Sequence, residues 1–512
     1  MNHFSFLPIT FLCLTKVALA QTVAPATAPA TPGQSVPAFA AIPKTLSPKT
    51  LSPKPLAKVA GFALSAQLRT RVENWNWFET PGFKDNDTFS GTQLRLNALK
   101  SGKRADFGLD LQEVFLSGVG TGTVAPAPQG ALGFPGNYRA ANGNQDGALS
   151  VKQGFVRWKE FAGRGSSVRL GRFEFNDGAE TVSKDPTLNW LKQQRVSQRL
   201  IGTFGFSQVG RSFDGAQLVL NPAGGNFTAV AARPTEGVFQ LNANDNIDSV
   251  RFAYGAYTKP FSAGEARLFG LIYKDARQAP QSVKSDNRPA AIRALDSEEI
   301  RIYTLGANFL KTLDTRAGKT DFLAWGALQG GDWGALNHKA NAFALEAGYQ
   351  PKTSRLHHWF RAGYFRSSGD SNPNDGTHGT FFSVLPTPRV YARFPFFNQM
   401  NSQDLFAQWM VRPSAKLALR AEAHKLNLTS GSDLWYSGGG AFQDNSFGVS
   451  GRPANGHRDL ATLLDISADY ALSAQTSVGL YLGQANGGQV ISQSYPQGNN
   501  GHLAFVEISH KF

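Results

Sequence analysis

Segments in which apolar and polar residues alternate recur along the chain from residue 62 to its last residue. In residues 62–73 the two faces consist of Phe62, Leu64, Ala66, Leu68, Thr70 and Val72 on one side and Ser65, Gln67, Arg69, Arg71 and Glu73 on the other. Such alternation indicates strands with one apolar and one polar face. After residue 20 no apolar run approaches the about 18 residues of a transmembrane helix. If the chain crosses a membrane, it therefore does so with strands.

The same period of two predicts many further strands. The residues expected to face outward in them are Leu94, Leu96, Phe107, Leu109, Leu111, Val250, Phe252, Tyr254, Leu417, Leu419, Ala421, Leu464, Ile466, Ala468 and Tyr470. The 53 glycines and 38 phenylalanines suit a membrane barrel, which needs aromatic girdles and tight turns. At roughly 25 residues per strand and loop, the sequence predicts an all-β fold, a transmembrane antiparallel β-barrel of about 18 strands. Long extracellular loops, or loops folded inward, are expected near residues 117–148, 276–298, 367–404 and 429–458.

The ends of the chain carry two further signals. Residues 1–20 are predicted to be a signal peptide, because an apolar stretch precedes Ala18-Leu19-Ala20, a small-x-small cleavage pattern. Residues 21–59 are rich in Pro, Ala and Thr and are predicted to be a periplasmic linker. Residues 60–512 form the predicted barrel, whose last strand alternates through Ala504, Val506, Ile508, His510 and Phe512. A terminal aromatic residue in such a strand resembles the signal that the barrel assembly machinery reads.

The chain is basic, with a formal net charge of +14. Residues 1–59 contribute five lysines and no acids, which leaves +9 for the predicted barrel. A positive balance favours acidic partners. We expect outer-membrane lipid and lipopolysaccharide, the barrel assembly machinery and an anionic or polar saccharide as partners, and no nucleic acid. The expected location is the outer membrane of a Gram-negative bacterium.

The polar faces of the predicted strands carry charges of both signs. The arginines at predicted inward positions are Arg69, Arg71, Arg95, Arg251, Arg301, Arg361, Arg412 and Arg420. The acids at such positions are Glu73, Asp110, Glu346, Glu422, Asp465, Asp469 and Glu507. Arginine binds carboxylates through a planar fork that stays charged. These charges either line a path for uronates or pair with one another to keep a wide barrel rigid, and the pattern does not choose between the two.

The sequence contains no recognisable enzyme motif. Gly-x-Ser-x-Gly and His-Glu-x-x-His are both absent from it. His424 and Glu422 share an inward face and would suit an acid/base pair, but no serine is evidently aligned with them. We therefore predict no enzymatic activity, no catalytic residues, no metal site and no cofactor.

Several less periodic segments carry a family resemblance. They are Gly171-Arg172, Gly210-Arg211-Ser212-Phe213-Asp214-Gly215, Ser368-Gly369-Asp370, Asn374-Asp375-Gly376, Thr380-Phe381, Phe396-Phe397-Asn398 and Asp433-Leu434-Trp435-Tyr436-Ser437. On these motifs, which span most of residues 61–512, the sequence resembles the bacterial alginate-export porin family. The resemblance implies an outer-membrane barrel of about 18 strands that exports or admits polysaccharide, with Arg211, Asp214, Asp370 and Asp375 as motif residues. It does not establish alginate as the substrate.

Two of these motifs also have simpler interpretations. The segment 210–215 suits a tight turn, with Asp214 bonding its own backbone, Gly215 at positive φ and Arg211 in the lumen. The segment 368–376 offers four oxygen ligands for calcium, yet it lacks the spacing of a known calcium loop. A solvated extracellular loop is the simpler prediction for it.

An insertion between Gly178 and Gly210 makes this part of the chain longer than is usual in the family. Asp185-Pro186 predicts a helix start, and Lys192, Arg195 and Arg199 then fall on one helical face. The helix is either a solvated basic helix on an outer loop or a basic constriction in the pore mouth. The sequence as a whole thus predicts an outer-membrane channel for polar or anionic saccharides such as polyuronates. The alternatives are a general or small-anion diffusion porin and, less favoured, a barrel enzyme or adhesin.

Overall fold

The computed structural model of the protein describes residues 55–222 and 224–512. Within these residues, eighteen antiparallel strands form one continuous sheet. In chain order they are β1 (Phe62–Asn76), β2 (Asn86–Ser101), β3 (Ala105–Ser117), β4 (Gly147–Lys159), β5 (Ser167–Phe173), β6 (Phe213–Leu220), β7 (Asn226–Pro234), β8 (Val250–Phe261), β9 (Gly264–Asp275), β10 (Ile300–Asp314), β11 (Gly318–Trp333), β12 (Leu336–Pro351), β13 (Trp359–Ser367), β14 (Ser402–Val411), β15 (Leu417–Leu428), β16 (Asp459–Ala471), β17 (Thr476–Gly487) and β18 (Asn500–Lys511).

The sheet closes into a barrel because its first and last strands pair. Gln67 lies opposite Lys511, and the register continues to Asn76 opposite His502. Each remaining strand pairs with its neighbours in the chain, so every strand has two partners. A closed barrel leaves no sheet edge unpaired. The predicted 18-stranded antiparallel barrel is confirmed.

The connections differ in length at the two ends of the barrel. At the end that contains Phe512, strands are joined by short turns such as residues 262–263 and 315–317. At the other end the predicted loops appear, together with the inserted residues 174–212. The elements within these connections are the helices Gly133–Asn142, Pro186–Leu191, Ala290–Arg293 and Gln489–Ser494, a π-helical turn Lys192–Val196, a 3₁₀ turn Pro388–Val390, and the short strands Thr377–His378, Leu434–Gly438 and Val449–Pro453.

The outer face of the barrel is apolar, as lipid requires. Exposed apolar side chains on it include Leu109, Leu268, Leu305, Leu328, Ile466 and Ile508. Exposed aromatic residues gather near the end with the short turns, and these are Trp158, Phe261, Phe309, Phe322, Tyr349, Phe360, Trp409, Tyr470 and Phe512. Such a girdle is typical of an interface between lipid and water. No helix in the described residues is long and apolar enough to cross a membrane.

The inside of the barrel is filled by its own loops. Phe381 and Phe382, from the connection between β13 and β14, are 1 % exposed. Phe382 packs against Tyr273 of the wall, with ring centroids 5.4 Å apart. On another side of the lumen Phe134 stacks on Trp75 of β1 at 4.7 Å. The lumen therefore has an apolar packed interior between its charged groups.

This packing reverses the predicted orientation of two strands. Val250, Phe252 and Tyr254 were expected to face lipid, but they are buried at 0, 4 and 3 % exposure and belong to the interior cluster. Arg251 is exposed instead, and so is Arg301 next to buried Ile302. The prediction of Arg251 and Arg301 as lumen residues is wrong, because a wall that packs against loops needs apolar side chains on its inner face.

The two N-terminal predictions fall mostly outside the described residues. The predicted signal peptide 1–20 lies wholly outside them, and so does the predicted linker 21–59 except for its last five residues. Ala57–Val59 forms a short strand that pairs with β1, with Val59 opposite Phe62. Regular structure thus begins slightly before the predicted boundary at residue 60.

Candidate functional site in the barrel lumen

The connection between β5 and β6, residues 174–212, runs across the lumen, and we refer to it as the crossing segment. Its helix Pro186–Leu191 begins as predicted at Asp185, whose side chain accepts hydrogen bonds from the amides of Thr187 at 2.8 Å and Leu188 at 3.3 Å. The helix ends in a π-helical turn at Val196, so Arg199 lies beyond the predicted helical face.

The three basic residues of the crossing segment face acids of the wall. Lys192 Nζ lies 2.8 Å from Glu265 Oε2 on β9. Arg195 Nε donates to both oxygens of Glu346 on β12, at 3.0 and 2.9 Å, and Arg199 Nη2 lies 3.6 Å from Glu346 Oε1. All three cations are buried. The interpretation as a solvated outer-loop helix is wrong, and the charges inside the barrel are neutralised rather than open to an anion.

Glu346 joins the crossing segment to a second wall strand. Arg361 on β13, a predicted lumen residue, donates to Glu346 Oε2 at 3.0 Å and to Asp321 Oδ1 at 3.1 Å. Trp359 Nε1 donates to the other Asp321 oxygen at 2.7 Å. One glutamate therefore holds cations from the wall and from the crossing segment in the same network.

The later part of the crossing segment binds the opposite wall through its backbone. Arg69 of β1 donates to the carbonyl oxygens of Gly205 and Ser207, both at 2.6 Å. Arg71 donates to the carbonyl oxygen of Phe206 at 2.7 Å, and Gln112 of β3 donates to that of Val209 at 2.8 Å. The crossing segment is thus fixed to both sides of the barrel.

Most other predicted lumen charges pair with one another. Arg71 bonds Glu73 at 2.9 Å and Glu507 at 3.1 Å. Arg95 bonds Asp110 at 3.1 Å and also Glu174 of the crossing segment at 3.0 Å. These contacts support the interpretation that wall charges pair to keep the barrel rigid.

Two predicted residues near the turns are placed differently from each other. Arg420 of β15 is buried and pairs with Glu422, as its inward position predicts. Arg412 lies one residue beyond β14, in the short turn before β15, where its amide donates to the carbonyl oxygen of Leu356 at 2.7 Å. Arg412 is therefore a turn residue at the barrel end and not part of the lumen wall.

A group of aromatic rings packs against two arginines, Arg389 and the ion-paired Arg71. The guanidinium of Arg389, in the turn Pro388–Val390, lies 4.2 Å from the ring centroid of Phe206 and 4.7 Å from that of Tyr481. Arg71 lies against the same Phe206 ring at 3.8 Å. Cations over ring faces gain about 1–2 kcal/mol when desolvated. We call Arg71, Arg389, Phe206, Tyr481 and the nearby Phe505 the arginine–aromatic cluster.

Among the described residues no carboxylate lies within ion-pair distance of Arg389, and Asp465 acts on it only from farther away. Its neighbour Arg393 donates to the Ser467 hydroxyl at 2.7 Å and lies 5.2 Å from the Tyr481 ring centroid. Burial, with a smaller contribution from Arg393, lowers the pKa of Arg389 to about 9, so the guanidinium stays charged at neutral pH. Sequence reasoning missed both arginines because they lie in a loop without strand periodicity; the repeated basic and aromatic residues of 389–397 were the available signal.

The family motifs come together where three loops meet. Asp433 accepts hydrogen bonds from the Asp370 amide at 2.9 Å, the Thr380 hydroxyl at 2.6 Å and the Tyr436 hydroxyl at 2.7 Å. Trp435 Nε1 donates to the Phe396 carbonyl oxygen at 2.9 Å. Burial raises the pKa of Asp433 to about 6. These motif residues therefore hold the inward loops together.

The motif at residues 210–215 does not have the contacts that were predicted for a tight turn. Asp214 does not bond its own backbone but forms a two-point ion pair with Arg172, at 2.7 and 2.8 Å. Gly215 lies in β6, where a Cβ would approach the Ala231 carbonyl oxygen to 2.1 Å, so close strand contact and not positive φ requires glycine. Arg211 is buried and donates to the carbonyl oxygens of Ala441, at 2.9 Å, and Gly439.

In the suggested calcium loop, side-chain oxygens accept hydrogen bonds from the loop's own backbone amides. Asp370 Oδ1 accepts from the Asn372 amide at 3.0 Å, and Asn372 Oδ1 accepts from the Asn374 amide at 3.1 Å. Asp375, which is exposed, accepts from the Thr377 amide at 2.9 Å. The geometry is that of consecutive Asx turns.

A cavity of about 460 Å³ lies among the loops beside the cluster. Its aromatic lining consists of Trp75, Trp77, Phe134, Phe204, Phe239, Phe442 and Phe447. Polar lining comes from Asn137, Ser450 and Arg452, and the cavity reaches Pro388, which precedes Arg389. Pockets that combine rings with a few polar groups suit organic ligands.

Solved structures of outer-membrane porins share this fold. A BenF-like porin from Pseudomonas fluorescens Pf-5 aligns with a TM-score of 0.55 and 9 % identity, over 89 % of this chain and 100 % of its own. OpdK of Pseudomonas aeruginosa, crystallised with vanillate, gives 0.52 and 11 % over 88 % and 98 %. OccAB4 of Acinetobacter baumannii gives 0.52 and 10 % over 88 % and 97 %. The fold is therefore that of an outer-membrane porin barrel.

The sequence comparison is more specific. No curated protein matches the chain, but the family model described as alginate export matches residues 140–502, well over half of the chain. The matched region contains the crossing segment, Arg389 and the junction at Asp433. With the barrel fold, this match supports an outer-membrane channel, and the chain belongs to the alginate-export family.

Proposed function

We propose that this protein resides in the outer membrane of a Gram-negative bacterium and passes anionic saccharides such as polyuronates. The barrel with its apolar belt suits that membrane and its lipopolysaccharide, and the family match points to polysaccharide cargo. Carboxylates on the sugar would be bound by guanidinium groups, which offer two parallel donors. No enzymatic step is needed for this activity.

The observation that carries the proposal is the position of Arg389 and Arg393. Other lumen cations, such as Lys192 and Arg195, have a wall carboxylate within 3 Å. Arg389 instead contacts rings and meets Asp465 only beyond ion-pair distance, so we expect its charge to be available to a passing anion. In a lumen with low-dielectric walls such a charge attracts anions more strongly than in water.

The aromatic cavity extends the path beyond the arginines. It reaches Pro388 and has Trp75 and Trp77 in its lining, and flat rings of this kind pack against the apolar faces of sugars. Because the crossing segment and residues 368–401 fill the lumen, a polysaccharide passes only when one of them moves. The long connection around Pro388–Val390 is the part that we expect to move, since loops are the mobile parts of a barrel.

Bilayer recordings test this function directly. Oligouronates should block the current of the wild-type channel, and the double variant Arg389→Gln/Arg393→Gln should weaken that block at least tenfold and shift ion selectivity toward cations. Arg233→Gln is the matched control, because it removes one arginine from an exposed ion pair with Asp248. Unchanged block and selectivity in the double variant would contradict the proposal.

A small-anion porin is the second candidate. It is favoured by the dense packing of the lumen, which leaves little room for a polymer, and by the vanillate in the OpdK crystal structure. Comparing block by a monomeric uronate with block by oligouronates of increasing length separates the two. Affinity that rises with length supports the polysaccharide channel, whereas equal affinity supports the small-anion porin.

The last strand suits recognition by the barrel assembly machinery, and we propose that role for it. Val506, Ile508 and Phe512 are exposed on the lipid face, and β18 closes the barrel against β1. Removing Phe512 should lower the amount of protein assembled in the membrane. Normal assembly without Phe512 would show that the signal lies elsewhere.

A further inference from the structure

Three potential metal ligands meet on the inner wall next to the arginine–aromatic cluster, whose Arg389 and Tyr481 interact electrostatically with one of them, Asp465. Glu422 and His424 lie on β15, and Asp465 lies on β16 directly opposite Glu422. All three are buried, at 3–4 % exposure. One ligand atom from each lies within 4.8 Å of the others. Sequence reasoning paired Glu422 with His424 but had no means of adding Asp465 from the next strand.

Three of the four carboxylate oxygens in this group lack hydrogen-bond partners among the described residues. Both oxygens of Asp465 and Oε2 of Glu422 have no hydrogen-bond partner within the part of the chain that the structure describes. The other Glu422 oxygen accepts from Gln408 at 2.6 Å and from Arg420. Buried carboxylate oxygens are ordinarily hydrogen-bonded, and two facing carboxylates repel each other. Arg393, Arg420 and His424 supply positive charge near this pair, but none of them donates to the three unpartnered oxygens, which are therefore open to a metal ion.

His424 is held as a metal-binding histidine is held. Its Nδ1 lies 2.9 and 3.1 Å from the two oxygens of Asp404 on β14, and its ring stacks on Phe406 at 5.8 Å. A carboxylate on one ring nitrogen fixes the orientation of the imidazole and leaves the other nitrogen, Nε2, to bind a metal.

We propose that Glu422, His424 and Asp465 bind a divalent transition-metal ion of the zinc class. Zinc takes histidine nitrogen and carboxylate oxygen at about 2.0–2.2 Å in tetrahedral geometry, so its ligand atoms are about 3.4 Å apart. The three atoms lie within 4.8 Å of one another, so binding one ion would draw them together by up to about 1.4 Å. A set with one nitrogen suits zinc, cobalt or nickel better than calcium or magnesium.

The ion would join neighbouring strands of the wall. It would bridge β15 to β16, with Asp404 on β14 supporting it from behind. This site does not depend on the proposed cargo. A protonated His424 between the carboxylates is the competing explanation for the same geometry, and it predicts that no metal is retained.

Cobalt binding by the full-length protein distinguishes the two explanations. The unfolded chain is first treated with a chelator in urea and is then refolded into detergent, with Co²⁺ in one set of samples and without it in the other. Both sets are desalted before the bound metal is measured. We expect one Co²⁺ per chain, visible absorption bands from the bound ion, and displacement by Zn²⁺. Asp465→Asn should lose at least nine tenths of the bound cobalt. Asp469→Asn, the same change on the same face of β16, should retain it.

A second variant keeps the test decisive if Asp465→Asn folds poorly. Asp404→Asn leaves all three ligands in place and should weaken Co²⁺ binding about 10–100-fold, because it removes the group that orients His424. A gel-mobility shift on heating reports folding in each case. Absence of retained Co²⁺ in the folded wild type overturns the proposal, as does retention equal to wild type in folded Asp465→Asn or folded Asp404→Asn.

Discussion

Buried cations at the two ends of the crossing segment have different kinds of partner. Around Lys192–Arg199, each cation faces a buried glutamate of β9 or β12. Around Phe206, Arg389 from the loop between β13 and β14 lies over aromatic rings, and among the residues described no carboxylate is at ion-pair distance from it. Both regions are buried and basic, so composition alone would not separate them. The partner of each arginine decides whether its charge serves the fold or stays available to a ligand.

This difference is energetic as well as geometric. A buried ion pair gains little over an apolar replacement, but losing one of its partners leaves a desolvated charge behind. A cation over a ring leaves no charge behind when it is replaced, because the ring is neutral. We therefore expect the first region to respond to mutation through stability and the second through selectivity.

The largest effect should come from Arg195→Gln. This change leaves Glu346 with Arg361 and the more distant Arg199, and breaking such a buried pair costs about 3–5 kcal/mol. The urea midpoint of unfolding in detergent measures the loss. Asp248→Asn, in an exposed pair with Arg233, is the control and should cost less than about 1 kcal/mol. Replacing Lys192, Arg195 and Arg199 together should impair folding before it alters selectivity, contrary to their predicted role as an open constriction.

A smaller stability effect is expected for Arg389→Gln. The variant loses the contacts with Phe206 and Tyr481, which are worth about 1–2 kcal/mol for a desolvated cation. Its ion selectivity should nevertheless move toward cations. The selectivity of folded Arg195→Gln should stay as in the wild type. Reversal potentials in a salt gradient measure the shift. If Arg389→Gln destabilises as much as Arg195→Gln, the two ends of the crossing segment are not distinct.

The sequence predicted the barrel better than its interior. Strand period two located residues such as Arg71, Glu73, Arg420 and Glu422 on the lumen side. The orientation predicted for Val250–Tyr254 was wrong. The prediction placed polar side chains inward because it took the lumen to be filled with water, whereas the inner wall here packs against loops through apolar side chains. The fold was therefore predictable wherever the wall faces charged or polar groups.

The site was predicted only in part for a related reason. Asp185 and the helix after it carry a local capping signal, so that element was found. Arg389 and Arg393 lie in an aperiodic loop, and Asp465 approaches Glu422 only through strand register. Contacts between distant segments leave no local pattern in one sequence. The contacts that show which charges are structural and which are open to a ligand could therefore be identified only from the structure.

The smallest expected effect is a pH dependence at the loop junction around Asp433. Burial raises the pKa of this carboxyl to about 6, so the folded junction binds a proton more tightly than the unfolded chain does. The associated stability is fully present below the unfolded value near 3.8 and is lost as pH rises through about 6. Wild type should therefore be about 1 kcal/mol less stable at pH 7.5 than at pH 5 from this group. Asp433→Asn stays neutral, and the Tyr436 hydroxyl can turn to accept from the amide. The urea midpoint of wild type should fall more between these pH values than that of Asp433→Asn, and equal slopes would show that Asp433 does not titrate in this range.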